Sequence, residues 1–368
     1  MRYSLILLFT SLWFSLSAQS EKPVYFERAD DSLVRFYYDM NYFLVDKNCE
    51  FKSIERLAEF EAKTTNFIGK FSDYYPNGRK MLEGNYQEGK KEGFFQAFHP
   101  NGQVKWTVTY QDNVPVGEWN YFYPDGKPLM QVLYFEGRSK LQSYWDQMGN
   151  QRIKEGTGNY DFKVPYPGYN PYGYPFIRYK GRFEDGYPEG VWQIFFENDK
   201  KRQIAGQEEY RNGRLVAGED FYTGEPYKTP KYPLIPVESF IQAESILAKG
   251  CTYDDFSGFL VYLRDFFNNS FNTFQVESLP SEDFSVIVQL TKNGAVRKVD
   301  LQIELDPNNQ ELSKALIFVA NAVEYYQPSF KNGEYVADEI SIHGKAMLTA
   351  EGKLNFHSIR IERPAEQN

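Results

Sequence analysis

The amino-acid sequence predicts a mainly β fold that is followed by an α+β domain at the C-terminal end. Three observations lead to this prediction. A motif returns every 24 residues, as Pro76-Asn77-Gly78, Pro100-Asn101-Gly102 and Pro124-Asp125-Gly126. Aromatic residues make up 18% of the chain, which favours strands with large buried rings. After a proline-rich stretch at 223–236, helical and strand periodicities alternate.

Each 24-residue unit predicts a β-hairpin. In the third unit, Trp119, Tyr121 and Tyr123 alternate along an extended chain and share one face. The Pro-Asn-Gly or Pro-Asp-Gly that follows suits a type I turn closed by a glycine bulge. Since a lone hairpin is marginally stable in water, we expect the units to stack and to fold as a block. The predicted turn residues of the repeats, with a structural role, are Gly78, Gly102, Gly126 and Gly213.

Segments such as 84–95, Gly-Asn-Tyr-Gln-Glu-Gly-Lys-Lys-Glu-Gly-Phe-Phe, resemble MORN repeats. The similarity is to the bacterial variant, with an aromatic strand, a Tyr-x-Asn-Gly turn and a Lys-Glu-Gly approach. It covers about 66–222, weakens at 145–150 where the proline is missing, and includes a Tyr/Pro-rich insert at 160–178. The resemblance implies an elongated, twisted sheet of hairpins for scaffolding or binding. Related repeats occur in proteins labelled antitoxins, a cytosolic role against which an export signal argues.

The first 18 residues have the pattern of a secretory signal peptide, with Arg2, an apolar core from Leu5 to Phe14 and small residues up to Ala18. We expect export across the inner membrane and no transmembrane span once the signal is cleaved; a retained anchor is the alternative. Residues 19–65 are expected to cap the array. Strands are expected near 24–28 and 34–38. A helix over 53–63 is compatible with the acidic and apolar spacing, although Phe60 and Phe67 also suit strands.

Cys49 and Cys251 lie 202 positions apart. An exported protein could bridge them, but the sequence does not show whether they are close in space. Neither cysteine has metal-ligand spacing, so no zinc site is expected. The formal net charge of −9 and the lack of a basic patch argue against a nucleic-acid partner.

The insert is unusually rich in tyrosine. Its four prolines and two glycines between 160 and 176 predict that no regular ladder forms there. One interpretation is a sticky aromatic loop that binds a carbohydrate or a protein. The other is a loop that folds back over the sheet and buries its own rings. The candidate binding residues are Tyr166, Tyr169, Tyr172 and Tyr174.

Residues 237–368 form the predicted C-terminal domain. Its expected helices lie at 237–247, 256–267 and 310–324, its strands at 284–290, 296–305 and 337–343, and an added hairpin at 345–348 and 353–362. The turn Lys292-Asn293-Gly294 and the stretch Tyr326–Val336, which contains Asn332-Gly333, resemble the TonB C-terminal domain over roughly 256–345. The resemblance implies a sheet edge that can accept a partner strand. Force transmission is not expected, because the connector is short.

The sequence shows no constellation typical of catalysis. Of the three histidines, His99 takes the position of Tyr75 and Tyr123 in neighbouring repeats, and the other two are isolated. Paired acids lie on adjacent residues, which point to opposite faces of a strand. We therefore expect a non-enzymatic protein. The resemblance to the two families implies a protein of the Gram-negative cell envelope, periplasmic or outer-membrane associated. It would act without a cofactor as a scaffold for an envelope protein partner. The alternative is a glycan-binding or surface adhesion module that uses exposed aromatics.

Overall fold

The computed structural model describes residues 22–363, except 136, 167–169, 171, 199, 232, 237, 252–257, 272–281, 302–309, 324 and 332–333. The predicted signal segment at 1–18 lies outside the described residues, and so does the proposed site residue Tyr169.

Eighteen strands form one antiparallel sheet in which each strand pairs with the next one along the chain. The exception is β5, which pairs with both β6 and β7, two parts of one interrupted strand. This order is a simple meander, as stacked hairpins require. The strands are β1 (Phe26–Arg28), β2 (Leu33–Tyr38), β3 (Ile54–Glu61), β4 (Asn66–Tyr74), β5 (Lys80–Gln87), β6 (Lys90–Lys91), β7 (Gly93–Phe98), β8 (Val104–Gln111), β9 (Val114–Phe122), β10 (Pro128–Phe135), β11 (Arg138–Trp145), β12 (Gln151–Lys154), β13 (Thr157–Pro165), β14 (Phe176–Glu184), β15 (Tyr187–Glu197), β16 (Arg202–Arg211), β17 (Arg214–Asp220) and β18 (Pro226–Tyr227).

The predicted proline–glycine turns are confirmed. The N–H of Gly78 donates to the Tyr75 carbonyl at 2.8 Å, and the N–H of Tyr75 donates to the Arg79 carbonyl at 2.9 Å. The φ of Gly78 is +77°, which favours glycine. Gly102 and Gly126 repeat the same bonds with His99 and Tyr123. This geometry is the type I turn with a glycine bulge.

Two further turns of the array lack the proline. Gly149 makes the same bond, to the Asp146 carbonyl at 2.9 Å, so the hairpin series continues although the proline is missing. Gly213 follows Asn212 in a two-residue turn in which both residues have positive φ, +50° and +75°. Gly213 is therefore a turn residue of the array, as predicted, but its two-residue turn joins β16 to β17 and differs in type from the turn at Gly78.

Of the two structures compatible with 53–63, the chain adopts the strand, β3, and the helical interpretation was wrong. Ile54, Arg56 and Ala58 are buried, and the residues between them are more exposed. This period of two belongs to a strand, and the register with β4 pairs Ala58 with Phe71. The N-terminal residues therefore extend the sheet with three strands of their own.

The insert also differs from its prediction. The ladder runs up to the pair Pro165 and Phe176, and the N–H of Tyr166 donates to the Pro175 carbonyl at 2.8 Å. Proline is tolerated here because it stands at the end of a strand. The irregular part of the insert is therefore shorter than predicted.

The C-terminal part has its own core and a four-stranded sheet of order β20–β19–β23–β24. The predicted turn at Gly294 is confirmed, since its N–H donates to the Thr291 carbonyl at 2.9 Å. The two runs expected on either side of Gly344 form a single strand, β23, which pairs with β24. Its elements are α1 (Phe259–Phe271), β19 (Glu282–Leu290), β20 (Val296–Leu301), α2 (Gln310–Ala322), β21 (Phe330–Lys331), β22 (Glu334–Tyr335), β23 (Asp338–Leu348) and β24 (Leu354–Glu362).

The chain after β18 lies across the repeat sheet and leads back to its beginning. We call residues 228–251, apart from 232 and 237, the return segment. It includes a 3-10 turn at Ser239–Ser245, in place of the longer helix expected at 237–247. At its end, the N–H of Leu44 donates to the Leu247 carbonyl at 2.7 Å, and a disulfide joins Cys49 to Cys251. The disulfide therefore joins the end of the return segment to the loop between β2 and β3, which contains Cys49.

Replacing both Cys49 and Cys251 by serine should lower the free energy of unfolding by about 5 kcal/mol. The chain-entropy argument gives this value for a cross-link between residues 202 apart, because the unfolded chain loses that restraint. Urea unfolding of the wild type and the double variant measures the difference. A reducing agent should destabilise the wild type equally and leave the double variant unchanged; an equal effect on both proteins would contradict this account.

Candidate binding surface

The inner face of the repeat sheet is a continuous layer of buried apolar side chains, most of them aromatic rings. Trp106 packs edge-on against Trp119, with ring centroids 5.2 Å apart, and Trp119 stacks on Tyr121 at 5.4 Å. Phe240 of the return segment is 2% exposed and lies 5.7 Å from the ring of Trp106. It also contacts the ring of Phe95, so the return segment belongs to the same core as the repeats.

Ion pairs fix the return segment along its length. Glu244 accepts from Lys91 Nζ at 2.5 Å and from the Tyr86 hydroxyl at 3.1 Å. Lys249 pairs with Asp39 at 2.9 Å, and both side chains are buried. Near the beginning of the return segment, the Leu234 carbonyl accepts from the Tyr160 hydroxyl at 2.7 Å. These contacts cover the inner face with the protein's own chain.

A buried ion pair stands where the first strands enter this core. Arg56 donates to both carboxylate oxygens of Asp73, at 2.7 and 2.9 Å, and neither side chain is exposed. Burial works against the charge of Arg56, but the charge and hydrogen bonds of Asp73 outweigh it, so the pKa of Arg56 stays well above its usual value. The Tyr42 hydroxyl donates to the same carboxylate, and the Phe71 ring lies 4.4 Å from the guanidinium carbon. Asp73 is thereby held in one geometry, which suits a structural role.

The outer face of the same sheet carries one polar side chain per strand, in register, over seven successive strands. Each pair is a direct cross-strand neighbour, from β4 through β11. Six of the seven are uncharged, and the exception, Glu83, is paired with Lys80 at 2.6 Å. Neighbouring members interact, since Gln131 Nε2 donates to Asn120 Oδ1 at 3.2 Å. We call this set the polar row: Ser72, Glu83, Gln96, Thr107, Asn120, Gln131 and Ser143.

A second row of side chains runs beside the polar row. On every second strand, the residue two positions after the polar residue is aromatic, and it is half-buried on the same face. Adjacent strands are about 4.8 Å apart, so the aromatics recur at about 10 Å. The members of this aromatic row are Tyr74, Phe98, Phe122 and Trp145.

Hydrogen bonds between repeats fix the spacing of the aromatic row. The Tyr75 hydroxyl donates to the Phe98 carbonyl at 2.8 Å, and the Tyr123 hydroxyl donates to the Trp145 carbonyl at 2.9 Å. His99 takes the equivalent place, with Nε2 at 2.9 Å from the Phe122 carbonyl. Because a carbonyl only accepts, His99 carries a proton on Nε2. Each bond joins a turn residue of one repeat to the last strand residue of the next.

The tyrosines of the insert pack on the sheet. The Tyr166 ring meets Phe196 edge-on at 5.1 Å, and Tyr172 lies 5.8 Å from the same ring. Tyr174 is 8% exposed, and Asn170 Oδ1 accepts from its N–H at 3.3 Å. Burial raises the pKa of Tyr166 and Tyr172. This placement matches the interpretation in which the loop folds back over the sheet.

The insert nevertheless borders a cleft of about 680 Å³ between the repeat sheet and α1. Tyr222 is 59% exposed and lines this cleft, and its ring centroid lies 5.6 Å from that of Tyr172. The cleft is also lined by Asn170, Tyr174, Tyr262, Asp265 and Asn269. The cleft therefore combines rings with amide and carboxylate groups.

The two edge strands of the C-terminal sheet differ. On β24, Asn268 of α1 accepts from the N–H of Phe356 at 2.7 Å and donates to its carbonyl at 3.3 Å. On β20, Arg297 and Lys298 are exposed, and among the described residues β19 is its one strand partner. β20 is thus an edge strand of this sheet, and an edge strand can pair with an extended segment of a partner.

Sequence reasoning missed both outer rows and the return segment. The signal for the aromatic row was present, because Tyr74, Phe98 and Phe122 follow the 24-residue period as regularly as the glycines do. The signal for the return segment was ambiguous, because the apolar residues around Phe240 have helical spacing and gave no indication that the segment lies across the repeat sheet.

Comparison with known proteins gives one family match. Residues 115–136 match the MORN repeat variant family, which confirms the resemblance for this part of the chain. No curated protein matches the chain. Among the described residues, no helix is both long and apolar enough to cross a membrane. Nor do these residues contain a group of three or more His, Cys, Asp or Glu side chains placed to hold a metal ion.

Two solved structures are similar to part of the chain: the pneumococcal O-GlcNAc transferase GtfA in complex with UDP and GlcNAc, and the GtfA/B complex. They are 11% and 12% identical over 37% and 38% of this chain, with TM-scores of 0.15 and 0.16. The matched region spans 21% and 23% of those chains. At these scores the similarity carries no argument about fold or activity.

Replacing Phe240 by alanine should lower the free energy of unfolding by about 3–5 kcal/mol, because a buried ring is removed from a packed core. The control is Ile241→Ala, since Ile241 is 44% exposed and its loss should cost less than about 0.5 kcal/mol. Urea unfolding followed by tryptophan fluorescence compares them. Equal losses in the two variants would show that the return segment is not part of the core.

His99 should make stability depend on pH. Burial lowers the pKa of His99 below its ordinary value near 6.5, against the opposing effect of the Phe122 hydrogen bond. The unfolded state then binds the proton more readily, so stability is complete above about pH 6.5 and is lost as the pH falls through the folded-state pKa.

The matched variant is His99→Tyr, which introduces the residue found at Tyr75 and Tyr123. Its free energy of unfolding, measured in urea from pH 7.5 to 5, should fall less steeply than that of the wild type. Parallel pH profiles for the two proteins would show that His99 does not cause the pH dependence of stability.

Proposed function

We propose that the chain is an exported, non-enzymatic scaffold of the cell envelope, in which the repeat sheet is a rigid display surface. The observation that carries this proposal is the return segment, which covers the inner face and is bonded covalently through Cys49 and Cys251. A sheet closed on one face by its own chain offers the opposite face for binding. Preorganisation of this kind reduces the entropic cost of binding a partner.

The disulfide also supports export. Disulfides persist in oxidising compartments and are rare in the cytosol. Together with the predicted signal segment at 1–18, this argues for the periplasm or the outer membrane of a Gram-negative bacterium. The MORN-type hairpin array, of which 115–136 is the matched part, fits a scaffolding role.

The C-terminal module is proposed to bind a protein of the envelope. Its order of helix, hairpin, helix and strand is the one that resembles the TonB C-terminal domain. The exposed edge of β20 would accept an extended segment of the partner through main-chain hydrogen bonds. On β24, the side chain of Asn268 already bonds the N–H and the carbonyl of Phe356. We therefore assign the docking of the partner strand to the edge of β20.

A second candidate function is glycan binding. The specific observation in its favour is the composition of the outer face and of the cleft at Tyr222, where aromatic rings stand beside amide groups. Such combinations suit sugars, because rings contact C–H faces and amides bind hydroxyls.

A photocrosslinking amino acid in place of Lys298, on the exposed edge of β20, should capture a defined envelope protein in living Gram-negative cells. The same residue in place of Lys353, in the turn before β24, is the control and should not capture it. Both proteins should be recovered from the periplasmic or outer-membrane fraction with Cys49 and Cys251 blocked to alkylation.

Two results would contradict the proposal separately. Identical crosslinks from both positions would show that the β20 edge is not the docking site. A cytoplasmic protein with two free thiols would show that the chain is not exported.

A further inference from the structure

On the outer face, the polar row and the aromatic row repeat at two different distances, and one extended ligand could contact both rows. The polar row places one hydrogen-bonding side chain on each strand, at steps of about 4.8 Å. The aromatic row places one ring on every second strand, at steps of about 10 Å. A ligand that lies across the strands would therefore meet a polar group at each step and a ring at alternate steps.

We propose that these two rows bind a linear, uncharged, β-linked polysaccharide that lies across the strands from β4 to β11. This inference rests on the proposed function of the repeat sheet as a display surface, and it names the ligand. One pyranose ring of an extended chain advances by a distance similar to the strand spacing. In an extended β-1,4-linked chain adjacent rings are turned over, so the same ring face recurs at every second ring, as the aromatic row does.

The charge of the face supports an uncharged ligand. Six members of the polar row are neutral, and the charge of Glu83 is matched by Lys80. An acidic polymer would find no matching row of cations on these strands, and the whole chain carries a net charge of −9. Hydroxyl and amide groups both donate and accept, which suits sugar hydroxyls.

A proline-rich peptide fits less well. Its polyproline II helix repeats at three residues of about 3.1 Å each, which is close to the step of the aromatic row. However, such a peptide offers mainly carbonyl acceptors, and its rise per residue does not match the polar row. We therefore favour the polysaccharide, and the peptide is one outcome of the test.

The fold keeps the rows in place. The bonds from Tyr75, His99 and Tyr123 hold each repeat to the next at the end where the aromatic residues lie. On the other side of the sheet, Phe240 packs against Phe95 on β7 and Trp106 on β8, two of the strands that carry the rows. The ring spacing is thus fixed before a ligand arrives.

The test is isothermal titration of the full mature chain with cellohexaose as the probe. Affinity should rise from the disaccharide to the hexasaccharide, because a longer chain reaches more rings. Maltohexaose, which is α-linked and coils, and polygalacturonate, which is charged, should bind at least about tenfold more weakly.

The double variant Phe98→Ala/Phe122→Ala should weaken cellohexaose binding by roughly tenfold or more, since two stacking contacts are lost. Asn120→Leu, which keeps a similar volume and removes the amide, should weaken it by a smaller factor. The control is Val191→Ala on β15, because Val191 is 55% exposed and lies outside both rows. Urea unfolding of each variant confirms that it is folded.

Several outcomes would overturn the inference. One is the absence of binding by cellohexaose, mannohexaose and chitohexaose at about 1 mM. Another is binding that the Phe98/Phe122 variant does not alter. A proline-rich peptide that binds instead, with the same dependence on Phe98 and Phe122, would assign the rows to a peptide. In each case an exported, disulfide-bonded protein that still crosslinks from Lys298 would leave the proposed scaffold function intact.

Discussion

The return segment is the constraint on which the rest of the repeat array depends. A meander of hairpins has two faces, and leaving the densely packed large rings of the inner face uncovered would favour aggregation. Here the chain covers the inner rings with Phe240 and with the ion pairs of Glu244 and Lys249. The disulfide then joins residues that are 202 positions apart, so the unfolded chain is restrained over most of the array.

Much of the architecture could be predicted from the sequence, and the reason is local. The turns at Gly78, Gly102 and Gly126 follow from proline and glycine conformations that need no distant partner. The strand β3 was mistaken for a helix because acidic residues at Glu55 and Glu59 suit both structures, and only pairing with β4 decides between them. The return segment could not be predicted, since its position depends on long-range contacts with Leu44 and Cys49.

The candidate surface was predictable only in part. The sequence drew attention to the tyrosines of the insert, whose density is conspicuous, but Tyr166 and Tyr174 pack against the sheet. The polar row has no local signal, because its members share no residue type and come into register only when seven strands are paired. The bulges between Ala97 and Phe98 and between Gln131 and Val132 shift the pairing by one residue, which sequence spacing alone does not reveal.

One 24-residue period thus has two consequences on the two faces of the sheet. On the inner face it repeats large rings that build a core, and on the outer face it repeats an aromatic residue beside a polar one. Strand spacing converts the sequence period into a distance that varies little, because the ladder hydrogen bonds set it. A flexible chain with the same residues would sample many spacings and would lose affinity for an extended polymer with a fixed repeat. The selectivity for length, linkage and charge that we propose for the outer face therefore depends on the rigidity that the inner face supplies.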